Sequence, residues 1–215
     1  MNKQEHDNHT NHAHGGHAHH AHHAGHHHDF KGIEQWINRL DHPERAKKQR
    51  PDEVIAQLGL QNNDVVADIG AGTGYFAIRI AAAYPQVRVI AADPEPEMVD
   101  YLKSQAAARN LANLEPVIID PTQPSLPVKT NLALLVDTFH HIDHRVEYLN
   151  YLRKNMATGS RIVVIDYPLD APEGPPADHR VPIVKVVDEL QQAGYLLAQE
   201  IKLLPNQYFL IFKQA

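Results

Sequence analysis

The chain has 215 residues and a formal net charge of −6, a length typical of one domain with an appended segment. It contains no cysteine, which excludes disulfides and cysteine-based metal or nucleophile chemistry and agrees with a reducing, cytoplasmic location. The mild acidity argues against a nucleic-acid partner, and no apolar run reaches the length of a membrane span.

Residues 1–28 form a low-complexity segment that holds twelve of the seventeen histidines. The segment has too little apolar surface to fold, so we expect a disordered tail, and its polarity is not that of a secretory signal. Neutral imidazoles are good ligands for Ni(II), Zn(II) and Cu(II), which predicts a flexible metal buffer without one closed site. A cloning tag or a solvated tail without metal is the alternative. The candidate metal ligands are His17, His19, His20, His22, His23, His26, His27 and His28.

Residues 29–60 are predicted to form a helical cap in front of the main domain. Residues 30–40 have the spacing of an amphipathic helix, whose Trp36 is interpreted as a packing residue or, alternatively, as part of a lid over a ligand. Residues 42–45 are expected to end this helix. A second helix is predicted over residues 51–58, with Gly59 as its stop.

A strand, a glycine-rich turn and the start of a helix are predicted from residue 65 onward. The strand carries Asp68, and the turn has glycines at alternate positions, at Gly70, Gly72 and Gly74. Because glycine permits positive φ and has no Cβ, we expect the backbone amides of this turn to face a ligand. A dinucleotide fingerprint would need glycine where Tyr75 stands, and no P-loop lysine follows. The Asp68 carboxylate would repel a pyrophosphate and attract an ammonium group, which predicts a phosphate-free ligand with a cationic end.

The segment Asp68-Ile69-Gly70-Ala71-Gly72-Thr73-Gly74 resembles motif I of the class I S-adenosylmethionine-dependent methyltransferases. The resemblance implies S-adenosylmethionine as cofactor. It also implies an α/β, Rossmann-like class I methyltransferase fold over residues 61–215, with a mostly parallel seven-stranded sheet, a final antiparallel hairpin and helices on both faces.

The elements after the glycine turn follow the order that this fold implies. Helices are predicted at residues 75–83, from 93–96 to about 110, from 143 onward with Asp143 or Asp137 as N-cap, and at 183–193. Strands are predicted at 65–69, 87–92, 116–119, 132–136, 161–165, 195–202 and 207–212, with a turn at 156–160 and a proline-rich loop at 167–182.

The ends of the predicted strands supply further candidate cofactor residues. Asp93 follows the second strand, where an acid can accept hydrogen bonds from ribose hydroxyls. The resemblance implies that Asp120 lies against the adenine amino group, with a turn-forming role as the alternative. Pro94 and Met98 are candidates for a wall beside the adenine, and core packing is the alternative for Met98. The predicted cofactor-binding residues are Asp68, Gly70, Ala71, Gly72, Tyr75, Asp93, Pro94, Met98, Asp120 and Asp137.

Two adjacent histidines, His140 and His141, follow the predicted strand 132–136 and are the candidate catalytic residues. Ligands bind at the strand ends of such sheets, and an imidazole can act as a general base near neutral pH. Packing or a helix start is the alternative role. The loop at 167–182 is the candidate substrate lid, or else an ordinary surface connection.

Two functions stay open at this point. The first is methylation of a small molecule, in which a base is needed only if the acceptor must lose a proton. The second is a Ni, Zn or Cu-binding protein that uses its methyltransferase-like domain as scaffold or sensor. An NAD or nucleotide-sugar enzyme is disfavoured by the glycine pattern. Residues 137–140 lack the Asn/Asp-Pro-Pro-Tyr signature of amino-methyltransferases, and the missing cysteines argue against arsenite methylation.

Overall fold

The computed structural model describes residues 33–215. The predicted tail, its candidate metal ligands and the first residues of the cap lie outside this range. The helices are α1 (Ile33–Leu40), α2 (Glu44–Gln49), α3 (Pro51–Gln57), α4 (Ala77–Ala83), α5 (Pro96–Ala108), α6 (Arg145–Arg153) and α7 (Ile183–Gln192). The strands are β1 (Val65–Ile69), β2 (Arg88–Asp93), β3 (Leu114–Ile118), β4 (Thr130–Val136), β5 (Met156–Asp166), β6 (Tyr195–Glu200) and β7 (Tyr208–Gln214).

The seven strands form one sheet in the order β3-β2-β1-β4-β5-β7-β6. Strands β1 to β5 pair in parallel, whereas β7 is antiparallel to both β5 and β6. The predicted fold is confirmed. The direction of chain progression reverses between β1 and β4, and in such sheets ligands bind at this switch point, beyond the carboxyl ends of the strands.

Helices cover both faces of the sheet because successive strand residues point to opposite sides. Val66 of β1 belongs to a buried cluster with residues of α3, α4 and α5. Its neighbour Ala67 belongs to a second cluster with residues of α6 and α7. Asp68 shares the face of Val66 and therefore lies on the side of α4. Across residues 33–215, no helix combines the length and the apolar character needed to cross a bilayer.

The first helix ends, as predicted, ahead of residues 42–45, because α1 stops at Leu40; the short helix α2 that follows was not predicted. Two local predictions are wrong. Residues 156–160 belong to β5, because Met156 pairs with Thr130 ahead of a register shift and this pairing outweighs the turn preference of Gly159. Helix α6 begins after His144, which has a left-handed backbone and no side-chain cap, so neither predicted aspartate is its N-cap.

Candidate active site

The glycine turn after β1 needs glycine for two reasons. Gly70, Gly72 and Gly74 have φ values of 71°, 54° and 83°, a region that other residues rarely adopt. A Cβ on Gly70 would also lie 2.6 Å from the Thr138 hydroxyl oxygen. The turn therefore packs directly against the segment that follows β4.

The first backbone amides of the glycine turn donate hydrogen bonds to acceptors within the protein. Those of Gly70 and Ala71 both donate to the carbonyl oxygen of Ala92, at 2.8 and 3.1 Å. The Gly72 amide donates to Oδ2 of Asp93 at 2.7 Å. All three amides therefore have acceptors within the protein, and contact of this turn with a cofactor stays a prediction.

Three carboxylates stand at the carboxyl ends of the central strands. Asp68 is in β1, Asp93 ends β2 and Asp137 follows β4. Oδ2 of Asp68 accepts a hydrogen bond of 3.0 Å from the amide of Ala77, the first residue of α4. Oδ1 of Asp93 accepts one of 3.0 Å from the Glu95 amide.

Burial perturbs the protonation of all three acids. It raises the pKa of Asp68 to about 7. The negative charge of Asp93 acts in the same direction as burial, whereas the hydrogen bond from the Ala77 amide and the charge of Arg45 lower this pKa. Burial also raises the pKa of Asp93 and the pKa of Asp137. A cationic ligand would favour the charged form of each group, so this edge of the sheet is suited to bind a cation.

Asp137 connects distant parts of the chain at the end of β4. Its backbone has a φ of 55°, and its amide donates to the carbonyl oxygen of Ile165 at 3.0 Å. Its carboxylate accepts hydrogen bonds from the side-chain amides of Gln49 and Gln207, the first at 2.8 Å. These two glutamines are also bonded to each other, at 2.9 Å. The network joins α2, β4 and the start of β7.

The N-terminal cap sits on the glycine turn. The Leu40 side chain lies 3.2 Å from the position a Cβ on Gly72 would take. The hydroxyl of Thr73 donates to Oδ1 of Asp41 at 2.8 Å. These contacts place the end of α1 and the residue that follows it directly over the predicted cofactor loop, while the division into cap and main domain stays a prediction.

Arg45, in α2, lies among the acids of the site. Its guanidinium stacks 4.0 Å from the centre of the Tyr75 ring, and Nη2 is 3.8 Å from Oδ2 of Asp137. Nε donates to Gln49 Oε1, and Nη1 donates to the carbonyl oxygen of Leu40 at 2.6 Å. Sequence reasoning did not single out Arg45 or Gln49, because their partners lie far away in the chain.

His140 forms a buried pair with Asp166, the last residue of β5. Its Nδ1 is 2.9 Å from both carboxylate oxygens, and its backbone amide donates to Oδ2 at 3.2 Å. The two side chains are 4% and 1% exposed. With Nδ1 donating to the carboxylate, Nε2 is left as the basic nitrogen. His141 is exposed, with its ring centre 4.0 Å from that of His140.

Asp166 was also missed as a functional residue. It ends a strand in the same way as Asp93, so the same reasoning about acids at strand ends could have found it.

The three residues expected near an adenine differ from one another in solvent exposure. Met98 is buried at 1% exposure and Pro94 is half-buried. Asp120 is exposed, and its Oδ1 accepts hydrogen bonds from the amides of Thr122 and Gln123, both at 2.8 Å. Asp120 therefore forms the turn that was its alternative role, while contact with an adenine stays a prediction.

The proline-rich loop at 167–182 is attached to the cap and to the β6–β7 connection. Glu173 accepts hydrogen bonds from Lys48 in α2 and from Asn206, the latter at 2.6 Å. The Tyr167 ring fills the space beside Gly174, where a Cβ would lie 2.6 Å from the ring. A cavity of about 410 Å³ lies beside this loop, lined in part by Pro168, Pro172, Ile183, Leu204 and Gln207.

Within the described part of the chain, no group of three or more His, Asp or Glu side chains could hold a metal ion.

The chain resembles known methyltransferases in sequence. Residues 67–162 match the methyltransferase domain family. The chain is 25% identical over 105 residues to (S)-coclaurine N-methyltransferase of Thalictrum flavum subsp. glaucum, covering 49% of this chain and 29% of that protein. It is 28% identical over 125 residues to a tRNA U34 carboxymethyltransferase of Shewanella sp. (strain W3-18-1), covering 57% and 37%. The chain thus spans about a third of the length of these curated relatives.

A solved structure resembles the chain over most of its length. A SAM-dependent methyltransferase from Aquifex aeolicus superposes with a TM-score of 0.77 at 21% identity, covering 83% of this chain and 97% of that chain. At this identity the likeness establishes the fold. The chain has the Rossmann-like fold of the class I methyltransferases.

Proposed function

We propose that the protein is an S-adenosylmethionine-dependent methyltransferase that acts on a small molecule. The family match over residues 67–162 supports the reaction class. The observation that carries the proposal is the convergence of Asp68, Asp93 and Asp137 around a glycine turn whose first amides are used inside the protein. Such a site repels the phosphates of a dinucleotide and attracts a cationic nucleoside.

Two of the three carboxylates have roles that suit parts of the cofactor. Asp93 accepts hydrogen bonds from the ribose hydroxyls, and Asp68 balances the ammonium group of the methionine end. Pro94, which is half-buried, would lie beside the adenine, whereas the burial of Met98 favours its alternative role in core packing. Bound S-adenosylmethionine would supply a methyl carbon activated by its sulfonium, so the main task of the protein is to hold the acceptor in line with that carbon.

His140 is the proposed base for an acceptor that must lose a proton. Asp166 orients the ring through Nδ1 and thereby leaves Nε2 to take the proton. Asp166 would also stabilise the imidazolium that forms. His141, which is exposed, is proposed to contact the acceptor rather than to carry the proton.

The acceptor is proposed to be a small molecule held beside the loop at 167–182. The cavity of about 410 Å³ there is in the range of small-molecule sites, and Gln207 in its lining bonds to Asp137. The net charge of −6 is also unfavourable for a polyanionic partner. The curated relatives are named for coclaurine and for tRNA U34, and two names this different leave the acceptor of this chain open.

The pH dependence of cofactor binding tests the proposed function. Because the pKa of Asp68 is about 7, we expect its ionised fraction to rise from roughly a tenth at pH 6 to roughly nine-tenths at pH 8. Calorimetric titration with S-adenosylmethionine should therefore show an affinity about tenfold higher at pH 8 than at pH 6.

Two controls accompany this titration. The uncharged 5′-methylthioadenosine should bind with little pH dependence, and Asp68→Asn should bind S-adenosylmethionine weakly at both pH values. Binding of NAD⁺ or NADP⁺ in place of the sulfonium compound would overturn the proposal.

We also propose that the His-rich tail binds divalent metal, since residues 1–28 concentrate twelve histidines. The full chain should bind several equivalents of Ni²⁺ in calorimetry, and a chain beginning at Asp29 should bind none, with S-adenosylmethionine affinity equal in both. If the shortened chain binds nickel as well as the full chain, the tail is not the metal site. If neither chain binds S-adenosylmethionine while the full chain binds metal, a metal-binding protein with a scaffold domain becomes the better account.

A further inference from the structure

The residues given a role so far supply negative charge to the site, but none of them supplies a positive charge for the carboxylate of the proposed cofactor. The methionine end of S-adenosylmethionine carries an ammonium and a carboxylate, so a matching site needs both signs of charge. Asp68, Asp93 and Asp137 supply the negative side. The amides of Gly70 and Ala71 bond to Ala92, so they do not supply donors to a carboxylate.

Arg45 is the cation that lies among these acids. Its charge lowers the pKa of both Asp68 and Asp137, which places the guanidinium close to the two strand ends that flank the switch point. Its side chain is 17% exposed, so its charge is less screened than that of a surface arginine.

The guanidinium is held in place by contacts that leave Nη2 with an ion pair to Asp137 and, among the described residues, no hydrogen bond. Nε bonds to Gln49 and Nη1 bonds to the Leu40 carbonyl oxygen, while the planar face rests on the Tyr75 ring. Nη2 is 3.8 Å from Asp137, which is beyond hydrogen-bonding distance. An arginine fixed on three sides, with Nη2 still able to donate, is well suited to bind a planar carboxylate.

We propose that Arg45 binds the α-carboxylate of S-adenosylmethionine and so selects a cofactor with an intact amino-acid end. This inference rests on the proposed function and adds a residue to the same site. The cap is thereby part of the cofactor site, because Arg45 reaches the site from α2 and is held in part by Leu40 of α1.

The test compares two ligands that differ in this one group. S-adenosylmethionine and decarboxylated S-adenosylmethionine both carry the sulfonium and the ammonium, and only the first has the carboxylate. Calorimetry on the full chain should show that decarboxylation weakens binding by roughly 10- to 100-fold. In Arg45→Ala the two ligands should bind almost equally, because affinity for S-adenosylmethionine falls while affinity for the decarboxylated compound is kept.

Arg79→Ala is the matched control. Arg79 also stacks on the Tyr75 ring, at 3.9 Å, and it bonds to the Tyr75 carbonyl oxygen at 2.6 Å. This variant should keep the full preference for the carboxylate. Arg45→Lys, which keeps the charge and loses the planar donor edge, should keep part of the preference.

The outcomes separate this inference from the proposed function. If the wild type binds both ligands equally well, or if Arg45→Ala weakens both by the same factor, the inference is wrong while the methyltransferase proposal stands. If the wild type binds neither ligand, the proposed function itself fails. If Arg45→Ala does not fold, Arg45→Lys takes its place: an undiminished preference for the carboxylate in Arg45→Lys overturns the inference.

Discussion

Replacing Asp93 by alanine is expected to weaken S-adenosylmethionine binding by at least about a hundredfold. The ribose would lose two hydrogen bonds to a charged acceptor, each worth about 1.5–3 kcal/mol. The Gly72 amide would also lose its acceptor, which lies 2.7 Å away, and the glycine turn would lose one of its anchors. Calorimetric titration of the variant and the wild type with S-adenosylmethionine measures this loss.

Asp93→Asn and thermal unfolding separate ligand binding from folding in this experiment. Asparagine keeps the shape of the side chain and one acceptor oxygen. We therefore expect the melting temperature of Asp93→Asn to lie between that of Asp93→Ala and that of the wild type. Its affinity for the ribose should still fall at least tenfold, because the charge is lost. An unchanged affinity in both variants would remove Asp93 from the cofactor site.

Replacing His140 by alanine is expected to lower kcat by roughly 10²- to 10³-fold with little change in cofactor affinity. A general base contributes about this much when the acceptor must be deprotonated, and His140 is the histidine whose orientation is fixed by a buried carboxylate. The measurement is single-turnover formation of S-adenosylhomocysteine with a panel of thiol and phenol acceptors.

Two further variants make the role of the His140 pair testable. Asp166→Asn should lower kcat less than His140→Ala and should change the pH profile of kcat, because the amide no longer fixes the ring or stabilises its protonated form. His141→Ala should act mainly on KM, since its ring is exposed. If His140→Ala turns over at the wild-type rate with every acceptor, the pair has a structural role.

The sheet was predictable from the sequence because its strands are short apolar runs ended by acids or turns. The central strands are buried on both faces, and β1 was predicted to the residue. The glycine turn could be recognised for the same local reason. The prediction failed where partners are remote, as at β5, whose first residue pairs with Thr130.

The contacts over the glycine turn could not be predicted in this way. Gln49 meets Asp137 and Gln207, which are 88 and 158 positions away, and no periodic pattern encodes such meetings. The direction of the turn amides depends on how the turn meets Ala92 at the end of β2, which composition does not reveal. The sequence pattern therefore predicted Asp68, Asp93 and Asp137, whereas the position of Arg45 among them is visible only in the folded chain.

The attachment of α1 and α2 bears on how a cofactor would enter and leave the proposed site. None of the eight residues of α1 is buried, and α2 meets the site through polar side chains rather than through an apolar core. Because α1 and α2 add little apolar area to the core, whereas α3 is anchored there by Val54 and Ile55, we expect α1 and α2 to move away from the glycine turn without disturbing the sheet. If the proposed function is right, release of S-adenosylhomocysteine would depend on this movement, and the turnover rate would be limited by it as well as by methyl transfer.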